Sequence, residues 1–276
     1  MALVTLGTDI ETGQQVTIGD IERRSGLYIS GKMGMGKSVL SVNIARQDMS
    51  HAHGVFFLDA HGEAIDQLIQ SMENPLLGIA TRLFDVEDEN YSFGINLLAC
   101  ADVKSLNARI DTYTRAYNVF YKLWEEQWGV WLQLILQNVL WAFIENQDYT
   151  LAEVPMFLNP RNEHFRNHII DNIKHNQAVA DFWRYEFLSR REQDQQERAD
   201  AALTRINTLL THPYVRHIIG QKRTTIDFSQ VLSLNNIVLF KLSSNLATDI
   251  KKFVGALLTS ELTHAVFATP QGGKRV

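Results

Sequence analysis

A chain of 276 residues with 45% apolar and 21% charged side chains can fill one large α/β domain or two smaller units, which excludes a disordered or fibrous protein. Its formal charge of −5 excludes a uniformly basic coat but leaves room for a local basic surface. Cys100 is the only cysteine, so no intrachain disulfide can form, and a reducing, cytoplasmic compartment is expected.

The opening Met1–Leu6 has no basic region ahead of an apolar core, so no signal peptide is expected. No run of about 18 apolar residues is present, so no membrane-spanning helix is expected either. Leu3–Leu6 and Gln15–Ile18, separated by turn-rich Gly7-Thr8-Asp9 and Glu11-Thr12-Gly13, predict a strand pair leading into the core. Leu27–Ser30 is a short β-prone run.

It ends at Gly31-Lys32-Met33-Gly34-Met35-Gly36-Lys37-Ser38, which fits G-x-x-x-x-G-K-[S/T] at every fixed position. Glycines let such a loop turn tightly and aim its N–H groups inward at an anion. Lys37 is placed for the β- and γ-phosphates, and Ser38 for Mg²⁺. Val39–Ala45 continues with helical spacing, and a helix N-terminus adds a dipole favourable to negative charge. Strand, loop and helix in that order predict a site for ATP and Mg²⁺ made by Gly31 through Val39.

Gly54–Asp59 is nearly all apolar, as a parallel strand buried on both faces would be. Asp59-Ala60-His61-Gly62-Glu63 then sets polar groups at its C-terminal end, where open α/β sheets bind ligands. A helix over Ala64 to about Met72 and a strand over Thr81–Asp85 complete a β-α-β-α-β rhythm, which predicts a doubly wound parallel sheet.

The rhythm breaks near Tyr91–Leu98, and residues 103–212 predict helices only. Trp124, Trp128, Trp131, Leu132, Ile135, Val139 and Phe143 mark one helical face, and Val130, Leu134, Leu140 and Trp141 make the opposite face apolar. The tryptophans are therefore expected in the core. Thr150 and Glu153 form a capping-box signature, Pro160 marks a break, and Phe182–Phe187 reads as an aromatic anchor. Arg190–Arg198 reads as a solvated helix or connector. After His212-Pro213, Thr225–Gln230 predicts a short helix capped by Asp227. Asn236–Leu242 returns to the sheet. A helix then carries Ile250, Phe253, Val254, Leu257, Leu258, Leu262 and Val266 on a stripe suited to covering a sheet face.

With these segments in order, the chain resembles the HerA/FtsK branch of P-loop ATPases, nearest the TraG/TraD-like conjugative coupling proteins of type IV secretion. The resemblance rests on Leu6–Asp9 with Gly13–Ile18, on Phe57–Glu63, on the helical block with Phe182-Trp183, and on Ile226-Asp227-Phe228 followed by Asn236–Leu242. Ala60 stands where the family commonly has Pro, and Met33 and Met35 replace small polar loop residues.

The resemblance implies a RecA-like P-loop NTPase core over 1–102 and 213–276, with 103–212 as an inserted all-helical subdomain. It implies ATP hydrolysis coupled to DNA translocation by a homo-hexamer, with secretion or relaxosome proteins as partners. It also implies that the Walker B strand, ending in Asp-Glu, lies after the last helix read here, so that turnover by these residues alone is open. Asp59 could instead face the metal and Glu63 the attacking water. Arg205, Arg216 and Arg223 are candidates for a γ-phosphate arginine supplied in trans, and Lys222 with Arg223 could touch DNA phosphates. The alternatives are a secretion ATPase that moves protein, and a nucleotide-binding assembly module without turnover.

Overall fold

The computed structural model describes residues 3–72, 81–88, 90–229 and 236–268. These form two compact units. The first takes residues 3–88, 228–246 and 265–268, and the second takes 90–227 and 247–264. The stretch 103–212 falls entirely in the second unit, together with both of its flanks and most of the last helix.

The first unit is α/β. Its strands β1 (Leu3–Thr8) and β2 (Gln15–Gly19) pair antiparallel, as expected, in a separate two-stranded sheet. Asp9 builds the hairpin loop, its Oδ1 accepting from Glu11 N and Thr12 N at 2.8 Å. The N–H groups of Thr12 and Glu11 hold that carboxyl below its ordinary pKa. Helix α1 (Asp20–Arg23) follows, then α2 (Lys37–Ser50), β3 (Val55–Asp59), α3 (Glu63–Gln70) and β4 (Thr81–Asp85).

After the helical unit the chain returns as β5 (Ile237–Lys241), which inserts between β3 and β4 to give a three-stranded parallel sheet. The pairing is in step: Asp59, Lys241 and Asp85 stand side by side at the C-terminal edge. Val42, Ala45 and Met49 of α2 share a core with Val55, Ile65, Leu68, Ile237 and Leu239. This is the usual way an apolar strand and one helical stripe remove each other from water. Phe240 joins the sheet's other apolar side chains, stacked on Phe84 at 4.8 Å and tilted against Phe56 at 5.1 Å.

Two expectations for this unit need correcting. Leu27–Ser30 is not a strand; it has no ladder partner among the described residues, and Tyr28 is 91% exposed. β-propensity selects an extended backbone, but a strand also needs a neighbour to take its N–H and C=O groups. Among the described residues β3 has a ladder partner on one side only; Phe56 to Asp59 are half-buried, and only Val55 has the full burial expected of the whole run.

The second unit contains α4 (Leu106–Trp124), α5 (Val130–Ile144), α6 (Val154–Leu158), α7 (Glu163–Asp171), α8 (Gln177–Asp181), α9 (Glu192–Thr211) and α10 (Pro213–Ile219). No strand occurs among the described residues of 103–212. The tryptophan face does not belong to one helix. α4 ends at Trp124, a 3-10 turn covers Glu125–Gln127, and α5 starts at Val130. Gly129 in an extended conformation permits the re-aiming. Val130 is consequently 77% exposed, whereas Leu132, Ile135, Val139, Leu140 and Phe143 are buried as expected.

The Thr150 capping box forms, with Thr150 N donating to Glu153 Oε2 at 2.7 Å, although it opens a 3-10 turn ahead of α6. Phe182–Phe187 is a π-helical turn that buries Phe182, Trp183 and Phe187. The polar run 190–198 opens α9, where Arg198 lies over the Trp131 ring at 3.6 Å. Phe228 and Ser229 are helical, and the rest of the helix expected to Gln230 lies outside the described residues, as does Gly272–Val276.

The last helix is α11 (Thr248–Ala268). Its residues to His264 belong to the helical unit. There Phe253 stacks on Phe120 at 6.1 Å, Glu261 takes Arg115, and His264 Nε2 meets Asp111 at 2.9 Å. The charged pairs hold it to α4 within that unit. No described helix is long and apolar enough to cross a membrane.

Candidate functional site

The residues Gly31–Ser38 form an open loop that runs directly into α2. Gly34 and Gly36 both adopt φ of +80°, a conformation in which a side chain would be strained, so these two glycines make the turn. Lys37 is the first residue of α2, and its Nζ folds back to donate to Gly31 O at 2.8 Å and Lys32 O at 2.9 Å. Its ammonium is thus held over the loop mouth by two carbonyls that a phosphate oxygen could replace. Ser38 is exposed and makes no side-chain hydrogen bond among the described residues. The expected lining residues Met33 and Met35 are 95% and 72% exposed, and Val39 is also exposed.

What fixes this loop is the anchoring of α2. Gln47 clamps it to β1, its Oε1 accepting from Thr5 N at 2.8 Å and its Nε2 donating to Thr5 O at 2.9 Å. Arg23 makes a two-pronged contact with Asp48, the stronger geometry for a guanidinium–carboxylate pair. The hydrogen bond to Asp48 raises the arginine's pKa. The connection from α2 to β3 covers only residues 51–54, and the two share a core, so α2 runs back along β3. Its start, and with it the loop, therefore lies on the side where β3 ends in Asp59.

Asp59-Ala60-His61-Gly62-Glu63 has a defined structural job. Asp59 Oδ1 accepts from His61 N at 2.9 Å, and Oδ2 accepts from Ala64 N at 2.8 Å and Ile65 N at 3.2 Å. The carboxylate thereby caps the otherwise unpartnered first N–H groups of α3. Gly62 sits at φ +89°, and a Cβ there would fall 2.9 Å from Lys241 Cε and 3.2 Å from Leu242 O. Glycine is required both by the turn and by the close approach of β5. Lys241 Nζ in turn reaches Asp66 Oδ1 at 2.8 Å and Asp85 Oδ2 at 3.8 Å, and the Asp66 hydrogen bond raises its pKa. Glu63 is exposed at the start of α3 with no ion pair among the described residues.

Substituting Asp59 with Ala should therefore cost stability first, by about 0.5–2 kcal/mol, the range for losing a helix cap. Asn, which keeps one accepting oxygen, should recover part of that loss in urea melts. If Asp59→Ala left the melting midpoint unchanged, the capping role would be wrong.

Lys241 was not singled out from the sequence, although the signal was present: three apolar strands finish in Asp, Asp and Lys. Gln47 and Arg23 carried no such signal, because a polar residue on a helix or turn looks solvated until its partner is known.

The three candidate arginines separate clearly. Arg205 is committed to structure, with Nη2 donating to Gln127 O at 3.2 Å and Gln127 Oε1 at 3.1 Å, and Nη1 to Ala201 O at 3.1 Å. Arg216 and Arg223 are exposed and make no ion pair or side-chain hydrogen bond among the described residues, and the same holds for Lys222. Among the described residues no group of three or more His, Cys, Asp or Glu side chains is arranged to hold a metal ion. Mg²⁺ at a phosphate loop asks less of the protein, since one hydroxyl, phosphate oxygens and water can fill its octahedron. Free Ser38 Oγ fits that demand.

Against this geometry, the chain matches no protein-family model and no curated protein.

Proposed function

We propose that this chain binds ATP with Mg²⁺ at Gly31–Ser38 and acts as the nucleotide-binding part of a RecA-like, ring-forming DNA translocase of the HerA/FtsK kind. The observation that carries the reading is the loop itself. Two left-handed glycines lead into a firmly anchored helix, with Lys37 held over the mouth and the Ser38 hydroxyl free. The backbone N–H groups and the α2 N-terminus would supply a positive field for the phosphates, Lys37 would donate to the β- and γ-phosphates, and Ser38 Oγ would help to hold Mg²⁺. Bound there, Mg²⁺ would supply positive charge against that of the phosphates.

The test is equilibrium binding of a fluorescent ATP analogue, displaced by unlabelled ATP. Ser38→Ala should remove most of the gain in affinity that Mg²⁺ brings while leaving metal-free binding nearly unchanged. An unchanged Mg²⁺ dependence would take Ser38 out of the site, and absence of analogue binding by the parent chain would remove the reading altogether.

A second reading, nucleotide binding without turnover, draws support from Asp59. Its Oδ1 is engaged with His61 N and its Oδ2 with the N–H groups of Ala64 and Ile65 in α3, which leaves it poorly placed to orient a metal or a water. Single-turnover hydrolysis by this chain, with and without DNA, separates the two.

A further inference from the structure

Nine polar or charged side chains are buried among the described residues, and eight of them make a hydrogen bond. The exception is Arg166, which is only 7% exposed and makes neither a side-chain hydrogen bond nor an ion pair among the described residues. Its Nε and Nη1 are sealed from solvent without a partner, and Nη2 is the guanidinium nitrogen that solvent reaches. Arg109, buried to a similar degree, shows the usual solution, with Nη1 meeting Glu145 Oε1 at 3.2 Å. An arginine keeps its proton even in the interior, so Arg166 cannot escape the cost of burial by becoming neutral. A buried charge left without compensation is among the most destabilising features a fold can carry.

The surroundings of Arg166 suit an anion. It lies one turn into α7, and side chains on a helix lean toward its N-terminus. Burial lowers the arginine's pKa, and the charges that raise it are Glu163 and Glu192, the first residues of α7 and α9. The guanidinium therefore lies near the starts of both helices, each of which packs against α6. Neither start is capped by a side chain. Asn162 instead donates through Nδ2 to Met156 O at 3.2 Å, and Arg191 makes no capping bond. Both helices thus bring unpartnered first-turn N–H groups and the positive ends of their dipoles to this place. Glu163 and Glu192 are exposed and make no ion pair among the described residues, and exposed Arg161 and Arg191, just ahead of the same helices, offset their charge.

We propose that Arg166, with the starts of α7 and α9, forms a binding site for a small oxyanion, a phosphate or a carboxylate. An ion that reaches Nη2 can take Nε or Nη1 as its second donor, the two-toothed contact that a guanidinium makes best. The narrow exposure of Arg166 suits a small ion rather than a polymer. All of these residues belong to the second unit, so the site is separate from Gly31–Ser38. Binding neutralises a charge that the fold itself leaves unpaired, and the ion stabilises the helical unit by mass action.

The experiment is arginine-selective ¹⁵N spectroscopy of the full chain, in which the Nε–H resonance missing from Arg166→Lys identifies Arg166. Sodium phosphate and sodium acetate are titrated separately, with chloride holding the ionic strength constant. A saturable shift of that resonance is expected, and the ion with the lower midpoint gives the chemical class that the site prefers. Replacing Glu163 and Glu192 together with Gln should lower that midpoint by about twofold or more, since two exposed negative charges no longer oppose the ion. In denaturant melts the preferred ion should raise the midpoint of the parent more than that of Arg166→Met. Without added oxyanion, Arg166→Met should melt no lower than the parent, because the unpaired charge is gone. A resonance that ignores both ions overturns the proposal, as does one that moves without saturating, the mark of an adventitious ion only. A marked loss of stability in Arg166→Met without oxyanion overturns it too, because the arginine would then already have a partner within the chain. The readout is local to Arg166, so phosphate bound at Gly31–Ser38 does not imitate it.

Discussion

Lys37→Ala is expected to weaken binding of ATP–Mg²⁺ by about 100-fold or more, the largest effect of any single substitution on the function proposed here. The lysine contributes a charge to a site otherwise built of dipoles, and hydrogen bonds from a charged donor are worth about 1.5–3 kcal/mol each. Two of them, to the β- and γ-phosphates, account for that loss. In the free protein the same ammonium donates to Gly31 O and Lys32 O, so binding exchanges two neutral acceptors for anionic ones. The exchange is favourable because the phosphates bring charge, and it leaves the loop carbonyls free to relax.

The fold should not suffer. α2 is held by Gln47, by Asp48 and by the Val42–Ala45–Met49 stripe, none of which involves Lys37. Urea midpoints of the variant and the parent should therefore agree to within about 0.5 kcal/mol of stability, as for surface substitutions generally. Retained ATP affinity in a folded Lys37→Ala protein would falsify the assignment of this loop.

The largest effect on stability should come from Trp183→Ala, in the other unit. Trp183 is completely buried, with its ring 4.8 Å from Phe157, 5.0 Å from Phe182 and 5.1 Å from Phe187. Its Nε1 donates to Asn138 O at 3.4 Å, tying the π-helical turn to α5. Truncation leaves a cavity among three aromatic rings that cannot collapse without moving their backbones, and the expected cost is about 3–5 kcal/mol. Trp183→Phe should lose markedly less, and Tyr185→Ala, in the same turn but exposed, should lose little. The readout is a denaturant melt followed by far-ultraviolet circular dichroism. If Trp183→Ala lost less than about 1 kcal/mol, this turn would not be the anchor of the helical unit.

Much of the candidate site could be read from the chain because its signals are local. Gly31–Ser38 is a fixed spacing, and the left-handed backbones at Gly34 and Gly36 are what glycine in such a loop permits. The capping box at Thr150 and Glu153 is likewise complete within four residues. The Asp59–Glu63 element was visible, but its job was not. Capping α3 and admitting Lys241 become apparent only when β5, nearly two hundred residues later, lies against β3.

By itself, then, the sequence determined which segments are helical, which runs are apolar enough to form a sheet, and where the glycine-rich loop stands. These follow from backbone preference and side-chain periodicity over a few neighbouring residues. Pairing was decided by tertiary structure. β5 enters between β3 and β4, Leu27–Ser30 has no ladder partner among the described residues, and α11 joins the helical unit through Phe253, Glu261 and His264. Arg205 is bound to Gln127, while Arg216, Lys222 and Arg223 are exposed and make no ion pair among the described residues. A strand's propensity does not name its neighbour, and a charge does not name its partner. Both depend on contacts between residues far apart in the chain, which only the folded molecule brings together.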